Sequence, residues 1–198
     1  LENAIKPFPL CRYNHQTLDL VIDYQKENNI DTKKISSITI DMPKYGVQLC
    51  GSPIEQKRNP QSPVDAQFSG CFAVALALTE QRADMTTFTG ALDRGLSDEF
   101  KRLMSITNIE QADDLDAIHP EFWPGRVKMI IDGDEVELYG KHMRGERERP
   151  MTIEEVQDKF RDLSPKHDEK NRKEVFDAID NLENASIDDL LTPLRKTS

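Results

Sequence analysis

The sequence has few cysteines and no long apolar run. Cys11, Cys50 and Cys71 are the three cysteines among 198 residues, so at least one thiol has no partner within the chain. A dense disulfide framework of the kind found in small secreted domains is therefore excluded. No stretch has the length and character of a secretory signal or of a bilayer-spanning helix. These absences predict a reducing, cytoplasmic environment.

Positive charge is also scarce. The chain carries 36 acidic and 26 basic side chains, which gives a formal net charge of -10. A field of this sign repels nucleic acids and anionic membrane surfaces, so we expect neither as a partner. A small anionic substrate is repelled at long range as well, and its binding therefore requires a local basic pocket.

Apolar side chains make up 37% of the residues, and the mean hydropathy is -0.64. This share lies below the roughly 45–50% that is usual for globular domains. We therefore expect some of the chain to be helical with a thin core. The first residue is Leu1 rather than methionine, and we expect the chain to be part of a longer polypeptide.

The first half of the sequence predicts helices and one strand. Asn14 precedes an amphipathic pattern that is typical of a helix ending near Asn29. Residues 35–42 alternate between apolar and polar side chains, which predicts a half-buried strand. Residues 44–61 have no period and predict irregular structure. Residues 64–78 are apolar on nearly all sides, so we expect a central core helix there.

Capping residues, proline and turn signals mark the ends of further elements. Helix starts are predicted at Ser62-Pro63, at Ser97, at Thr152 with Glu155, at Ser164-Pro165, and at Ser186 with Asp189. A hairpin is predicted around Asp132-Gly133, with strands over residues 126–131 and 135–139. The sequence after Pro150 predicts helices alone. Their apolar stripe is narrow, so we expect a partner surface to cover it.

The densest group of reactive side chains lies in Lys6-Pro7-Phe8-Pro9-Leu10-Cys11-Arg12-Tyr13-Asn14-His15. Two prolines stiffen this segment before a helix N-terminus, where an anion is readily bound. Arg12 can bind a carboxylate with two hydrogen bonds, and Lys6 can neutralise a second one. His15 can exchange a proton near neutral pH. The alternative is that Lys6 and Arg12 are solvated and that His15 caps the helix or packs.

Two further groups of residues are candidates for a site. Cys11 and His15 stand one helical turn apart, but two ligands are too few for a zinc site. No metal site is expected, because the other histidines have no paired cysteine or ligand spacing; these are His119, His142 and His167. Gln67 is a polar group in the predicted core helix. Its amide either lines a pocket wall or is bonded within the core.

Three segments resemble the MmgE/PrpD family by their order and spacing. They are residues 6–15 quoted above; Asp65-Ala66-Gln67-Phe68-Ser69 with Ala73-Val74-Ala75-Leu76-Ala77; and Arg144-Gly145 with Pro150-Met151-Thr152 and Asp158-Lys159-Phe160-Arg161. The resemblance implies an α+β fold. Residues 1–147 would form a small lid domain with a β-sheet flanked by helices. Residues 148–198 would form an all-helical tail that packs on a helical domain outside this chain.

The family resemblance also implies a function. The members of this family resemble 2-methylcitrate dehydratase, cis-aconitate decarboxylase and iminodisuccinate epimerase. The resemblance therefore implies a cofactor-free lyase that removes a proton next to a carboxylate. The leading expectation is a homodimeric dehydratase of a 2-methylcitrate-like acid in propionate metabolism, with most acid and base residues in an N-terminal half. An isomerase or epimerase of a related dicarboxylate, and a non-catalytic lid that acts as a binding module, stay open.

Roles for individual side chains follow from the same resemblance. It implies that the lid supplies Lys6, Arg12 and His15 to the substrate's carboxylates. Together with the residue types, this predicts His15 and Lys6 as catalytic residues and Arg12, Cys11 and Gln67 as substrate-binding residues. No metal or other cofactor is implied, so the cationic side chains of the lid would stabilise the developing negative charge. The decarboxylase has a histidine where this chain has Cys11. This departure weighs against decarboxylation.

Overall fold

The computed structural model describes residues 3–195. Its contacts divide the chain into two compact units, Leu1–Met151 and Thr152–Ser198. The first unit combines helices with a four-stranded sheet, and the second consists of helices. The α+β fold class is therefore confirmed. The assignment of residues 1–147 to a lid and of residues 148–198 to a separate helical domain stays a prediction.

The sheet of the first unit is mixed. Its strands are β1 (Ile35–Met42), β2 (Thr107–Gln111), β3 (Gly125–Ile131) and β4 (Asp134–Gly140). They are ordered β2-β1-β3-β4, with β1 and β2 parallel and the other two pairs antiparallel. Asp132 and Gly133 connect β3 to β4 with positive φ angles of 56° and 95°, as a tight hairpin turn requires. Strand β1 and the hairpin are confirmed.

Helices of the first unit pack on the sheet and on one another. Helix α1 (His15–Asn28) contacts β3 and β4, and the apolar helix α5 (Gly70–Glu80) packs against both α1 and α7 (Asp98–Ser105). Every residue of α5 from Gly70 to Leu78 is buried. The predicted central core helix is thus confirmed, and its burial explains why it is apolar on all sides.

The predicted helix over residues 64–78 is interrupted. Helix α4 (Pro63–Gln67) begins as expected, since the Ser62 side chain accepts a hydrogen bond from the Asp65 N–H. It ends before Ser69, whose hydroxyl accepts a hydrogen bond from the Phe72 N–H at 2.9 Å and caps α5. A serine that bonds to the backbone competes with helix continuation, and this break was not predicted.

Residues 44–61 are not irregular, contrary to the prediction. They contain short helical turns: α2 (Lys44–Gly46), a π-helical turn (Val47–Gly51) and α3 (Ile54–Lys57). Helix α6 (Met85–Asp93), strand β2 and α8 (Asp113–Asp116) were not predicted either. Elements of one turn are too short to show a period, and β2 is an edge strand that is mostly exposed, so its sequence does not alternate.

The second unit contains α9 (Ile153–Leu163), α10 (Glu169–Asp180) and α11 (Ile187–Arg195). The capping box of Thr152 and Glu155 is present. The predicted helix start at Ser164-Pro165 is wrong, because the Ser164 hydroxyl donates back to the Phe160 carbonyl at the end of α9. Asp168 caps α10 instead. Between residues 3 and 195, no helix has the length and apolarity to cross a membrane.

Candidate functional site

The loop that precedes α1 is held at both ends by backbone hydrogen bonds. The Ile5 N–H donates to the Gly145 carbonyl at 2.9 Å, and the Cys11 N–H donates to the Gln67 carbonyl at 2.9 Å. Gly145 has a φ of +91°, and a Cβ there would lie 1.9 Å from the Ile5 carbonyl oxygen. Only glycine fits this position. The loop therefore has a defined course despite its lack of regular structure.

Arg12 extends from this loop into an open cleft of about 540 Å³. Its guanidinium lies 4.2 Å from the centre of the Trp123 ring, a cation–π contact. Its Nη2 donates to Glu146 Oε1 at 2.8 Å. Much of the cleft is polar and charged; its lining includes Arg12, Phe122, Trp123, His142, Glu146 and Arg147. Arg12 is thus positioned to bind a carboxylate, and a carboxylate of the chain itself occupies it.

His142 shares the cleft with two carboxylates. Its Nδ1 lies 3.9 Å from Glu146 Oε2 and 3.7 Å from Glu148 Oε2. Among the described residues this trio could offer three ligand atoms to a cation, whereas the sequence predicts no metal site at His142. Arg12 already neutralises Glu146, and a cation would compete with this ion pair.

His15 is buried below the loop. Its ring is 1% exposed, and Nε2 lies 3.2 Å from the Leu10 carbonyl oxygen. The Phe8 ring packs edge-on against it at a centroid distance of 5.3 Å. His15 is not among the residues that line the cleft around Arg12. Its predicted catalytic role stays a prediction, and the structure places its ring in the core.

Cys11 faces a second cysteine. A side-chain hydrogen bond from the buried Cys50 lowers the pKa of the Cys11 thiol from its ordinary value of 9.0 to about 6, although burial raises it. The Tyr13 backbone N–H lowers this pKa further, and so do the charges of Lys6 and Lys57. The same hydrogen bond, together with burial, raises the pKa of Cys50. The hydrogen bond thus favours the thiolate form of Cys11 over that of Cys50.

Cys71 provides a contrast within the same unit. It is fully buried in α5, and its thiol lies 3.9 Å from the Thr107 carbonyl oxygen. Burial raises the pKa of the Cys71 thiol to about 12. A neutral thiol in an apolar environment is unreactive. The pKa of the Cys11 thiol is thus lowered, whereas the pKa values of Cys50 and Cys71 are raised.

Gln67 fixes the loop from the side of α4. Its Nε2 donates to the Pro9 carbonyl at 2.9 Å, and its own carbonyl accepts from Cys11. These bonds position the loop. They correspond to the alternative in which the Gln67 amide is bonded within the protein, and its predicted contact with substrate stays a prediction.

The sequence of this chain matches one known family. A model of the MmgE/PrpD C-terminal domain matches residues 8–184. The chain belongs to the MmgE/PrpD family. Members of this family are in general lyase- or dehydratase-like. No curated protein matches the MmgE/PrpD domain described here.

The two predicted cationic site residues of this MmgE/PrpD domain lie in different environments. Arg12 lies in the cleft, whereas Lys6 is an exposed side chain whose charge acts on Cys11. Partners of Arg12 were not found from the sequence, because Glu146 lies 134 positions away from it. Arg144, in the same segment as Glu146, donates its backbone N–H to the buried Asp19 at 2.6 Å, and its Nη2 lies 3.1 Å from Asp19 Oδ1.

Proposed function

We propose that the chain is the C-terminal part of a cofactor-independent lyase, a dehydratase of a 2-methylcitrate-like tricarboxylic acid in propionate metabolism. The observation that carries the proposal is Arg12, which a matched MmgE/PrpD domain presents in an open, polar cleft with its guanidinium bound to a carboxylate. The proposed reaction removes a proton next to a substrate carboxylate and then releases hydroxide as water.

Arg12 is the proposed carboxylate-binding residue. A substrate carboxylate would replace Glu146 on the guanidinium, which retains the Trp123 ring on one face. The guanidinium charge would stabilise the carbanion-like state that follows proton removal. Arginine suits this role because its planar group holds a carboxylate with two hydrogen bonds.

Lys6 and His15 are the proposed catalytic residues of this chain. Lys6 is exposed on the loop, and an ammonium there would neutralise a second substrate carboxylate. For His15 to exchange a proton with substrate, the Phe8 ring has to move away from its edge. Cys11 on this loop and Gln67 at the end of α4 are proposed to bind the substrate as well.

The remaining acid and base residues are proposed to lie in an N-terminal MmgE/PrpD half, and the active assembly is proposed to be a homodimer. The exposed apolar side chains of the second unit support a partner surface; they are Ile153, Val156, Leu163, Ile179, Leu182 and Ile187. Burying such a surface stabilises an assembly through the hydrophobic effect. The isolated chain is therefore expected to be inactive.

An activity assay tests this function. The chain, combined with an N-terminal MmgE/PrpD half, is incubated with 2-methylcitrate, and the product is analysed by mass spectrometry. Arg12→Ala should reduce turnover by about 100-fold or more, by analogy with the loss of one charge-stabilising donor. Arg94→Ala is the matched control, because Arg94 pairs with Glu80 on the surface of the first unit, outside the cleft, and should leave turnover unchanged.

The product mass separates the possible outcomes. Loss of one water supports the dehydratase, whereas turnover at constant mass supports an isomerase or epimerase. Binding of the acid without turnover supports a binding module. Near-normal turnover of Arg12→Ala contradicts the role of Arg12.

A further inference from the structure

The turn that carries Glu146 is fixed by backbone hydrogen bonds. The Glu146 carbonyl accepts from the Arg149 N–H at 3.2 Å, and the Gly145 N–H donates to the Arg149 carbonyl at 2.8 Å. The Gly145 carbonyl accepts from the Ile5 N–H at 2.9 Å, which joins this turn to the loop that carries Arg12. The backbone of Glu146 is therefore held beside that loop, and a movement of its carboxylate has to come from side-chain rotation.

The Glu146 carboxylate is less exposed than the guanidinium that it binds. The Glu146 side chain is 12% exposed and the Arg12 side chain is 35% exposed, with 2.8 Å between Glu146 Oε1 and Arg12 Nη2. The Trp123 ring covers one face of the guanidinium at 4.2 Å. An ion pair that is shielded from solvent is screened less than one at the surface. Glu146 therefore competes strongly with an anion that approaches Arg12.

This ion pair does not use the whole guanidinium. Glu146 Oε1 accepts one hydrogen bond, from Arg12 Nη2. The Arg12 Nε–H is buried, and within the part of the chain that the structure describes it has no hydrogen-bond partner. A buried donor without a partner is costly, whereas a carboxylate that bridges Nε and Nη2 satisfies both groups. A ligand carboxylate can thus make one more hydrogen bond to Arg12 than Glu146 does.

His142 offers the Glu146 carboxylate a second position. Its Nδ1 lies 3.9 Å from Glu146 Oε2, the oxygen other than the one that accepts from Arg12. The Phe122 ring packs edge-on against the His142 ring at a centroid distance of 5.3 Å and restricts its orientation. A neutral imidazole with its proton on Nδ1 donates a hydrogen bond to a carboxylate. A small rotation of the Glu146 side chain therefore exchanges Arg12 for His142.

We propose that Glu146 is an internal competitor for the carboxylate site of Arg12, and that it moves to His142 when a polycarboxylate ligand binds. In the chain without ligand, Glu146 neutralises Arg12 and closes the site. The apparent affinity for the ligand equals the intrinsic affinity multiplied by the fraction of chains in which Arg12 is open. This regulation of the site rests on the proposed function, in which Arg12 binds a substrate carboxylate.

The contact between Glu146 and Arg12 has a second interpretation that predicts the opposite result. Glu146 would then hold Arg12 in the orientation that a ligand carboxylate needs, and loss of Glu146 would weaken binding. Removal of an internal competitor strengthens binding instead. The sign of the change in affinity therefore separates the two roles of Glu146.

Tryptophan fluorescence measures binding at this site. Trp123 is the one tryptophan of the chain and lies against Arg12, so its emission responds when the partner of Arg12 changes. The 198-residue chain and its variants are titrated with citrate at constant pH and ionic strength. Glu146→Gln should bind citrate about fivefold more tightly, as expected for the loss of a partly exposed ion pair.

Glu148→Gln is the matched control. It removes the same charge from the same cleft, but Glu148 lies 3.7 Å from His142 and does not pair with Arg12. Its gain in affinity should be clearly smaller than that of Glu146→Gln. Equal gains for the two variants would mean that the net charge of the cleft, rather than the ion pair, limits binding, and would overturn the proposal.

A double-mutant cycle tests the movement towards His142. His142→Ala should weaken citrate binding, because the displaced Glu146 carboxylate loses its second position. In the Glu146→Gln background the same substitution should have no effect, since no carboxylate has to be accommodated there. An equal loss in both backgrounds would show that His142 contacts the ligand itself, and would overturn the proposed movement.

Arg12→Ala distinguishes this proposal from the proposed function. If Arg12→Ala abolishes citrate binding while Glu146→Gln leaves the affinity unchanged or lowers it, Arg12 binds carboxylates and the internal competition is overturned. If Arg12→Ala binds citrate as tightly as the unmodified chain, both proposals are overturned. If circular dichroism shows that Glu146→Gln does not fold, Glu146→Asp takes its place; its shorter side chain withdraws the carboxylate from Nη2 and should also strengthen binding.

Discussion

The two compact units differ in how they bury apolar side chains. In the first unit the residues of α5 from Gly70 to Leu78 are buried, and so are Ile38 and Ile40 of β1. Within residues 152–195, Val175 and Ala178 are the buried hydrophobic side chains, whereas Ile153 and Ile187 are 76% and 72% exposed. The first unit therefore has a core of its own. The stability of the second unit depends more on helix caps and on ion pairs along its helices.

This difference indicates which forces stabilise each unit. Burial of a large apolar side chain contributes several times more than a cap or a surface ion pair. The second unit contains a capping box at Thr152 and an exposed ion pair between Lys173 and Asp177. A substitution in the first unit should accordingly lower the stability more than a substitution of the same type in the second unit.

The largest effect is expected for Phe72→Ala. The Phe72 ring contacts Phe88 and Phe100 at centroid distances of 5.6 and 5.0 Å. Removing it leaves a cavity, so the free energy of unfolding should fall by about 3–5 kcal/mol. Leu182→Ala is the control in the second unit, where the side chain is 63% exposed, and should change it by less than about 0.5 kcal/mol. Urea titrations followed by circular dichroism measure both, and equal effects contradict the comparison.

Removal of a helix cap should cause a loss of stability of intermediate size. The Ser69 hydroxyl accepts from the Phe72 N–H and donates to the Lys57 carbonyl inside the first unit. Ser69→Ala leaves both groups unsatisfied, so a loss of about 1–3 kcal/mol is expected. Thr152→Ala removes an exposed cap and should lose about 0.5–1 kcal/mol. Thermal denaturation compares the two variants; a larger loss for Thr152→Ala would reverse the expected order.

The smallest effect concerns an ion pair and depends on pH. Hydrogen bonds from Arg102 lower the pKa of Glu99 from 4.5 to about 2. A carboxylate with a lowered pKa stabilises the fold above pH 4.5, and this contribution is lost as the pH falls towards 2. Glu99 is partly exposed to solvent, so Glu99→Gln should lower stability at pH 7 by about 0.5–1 kcal/mol.

The same variant should show a weaker decline in stability between pH 4.5 and 2. Denaturant titrations at several pH values measure this slope. Glu169→Gln, at a 65% exposed side chain in the second unit, serves as the control. An unchanged slope for Glu99→Gln would show that the ion pair with Arg102 contributes nothing.

Sequence patterns predicted the parts of the fold that depend on neighbouring residues. The capping box at Thr152 and the turn at Asp132 and Gly133 were predicted correctly, because each needs only a few adjacent positions. The Ser69 interruption and the wrong start at Ser164 depend on which backbone groups a serine hydroxyl meets. Serine chemistry alone does not decide between these partners.

The loop of the candidate site could be predicted from the sequence, but the residues that contact this loop could not. Arg12 and Cys11 were identified from residue type, whereas Glu146 and Cys50 were not identified, since tertiary contacts bring them close. Tertiary contacts also explain why the environment of His15 could not be predicted. An imidazole near a helix N-terminus is equally consistent with a site and with a core, and the packing of Phe8 places it in the core.

The parallel pairing of β1 with β2 has a consequence for the order of folding. β3 and β4 adjoin each other in the chain, so their hairpin closes a very short loop. β2 can join β1 only after the whole intervening stretch from α2 to α7 has returned to the sheet. Closing so long a loop lowers chain entropy before any contact compensates for it. The edge of the sheet is therefore expected to assemble late, after the helices that connect its two strands.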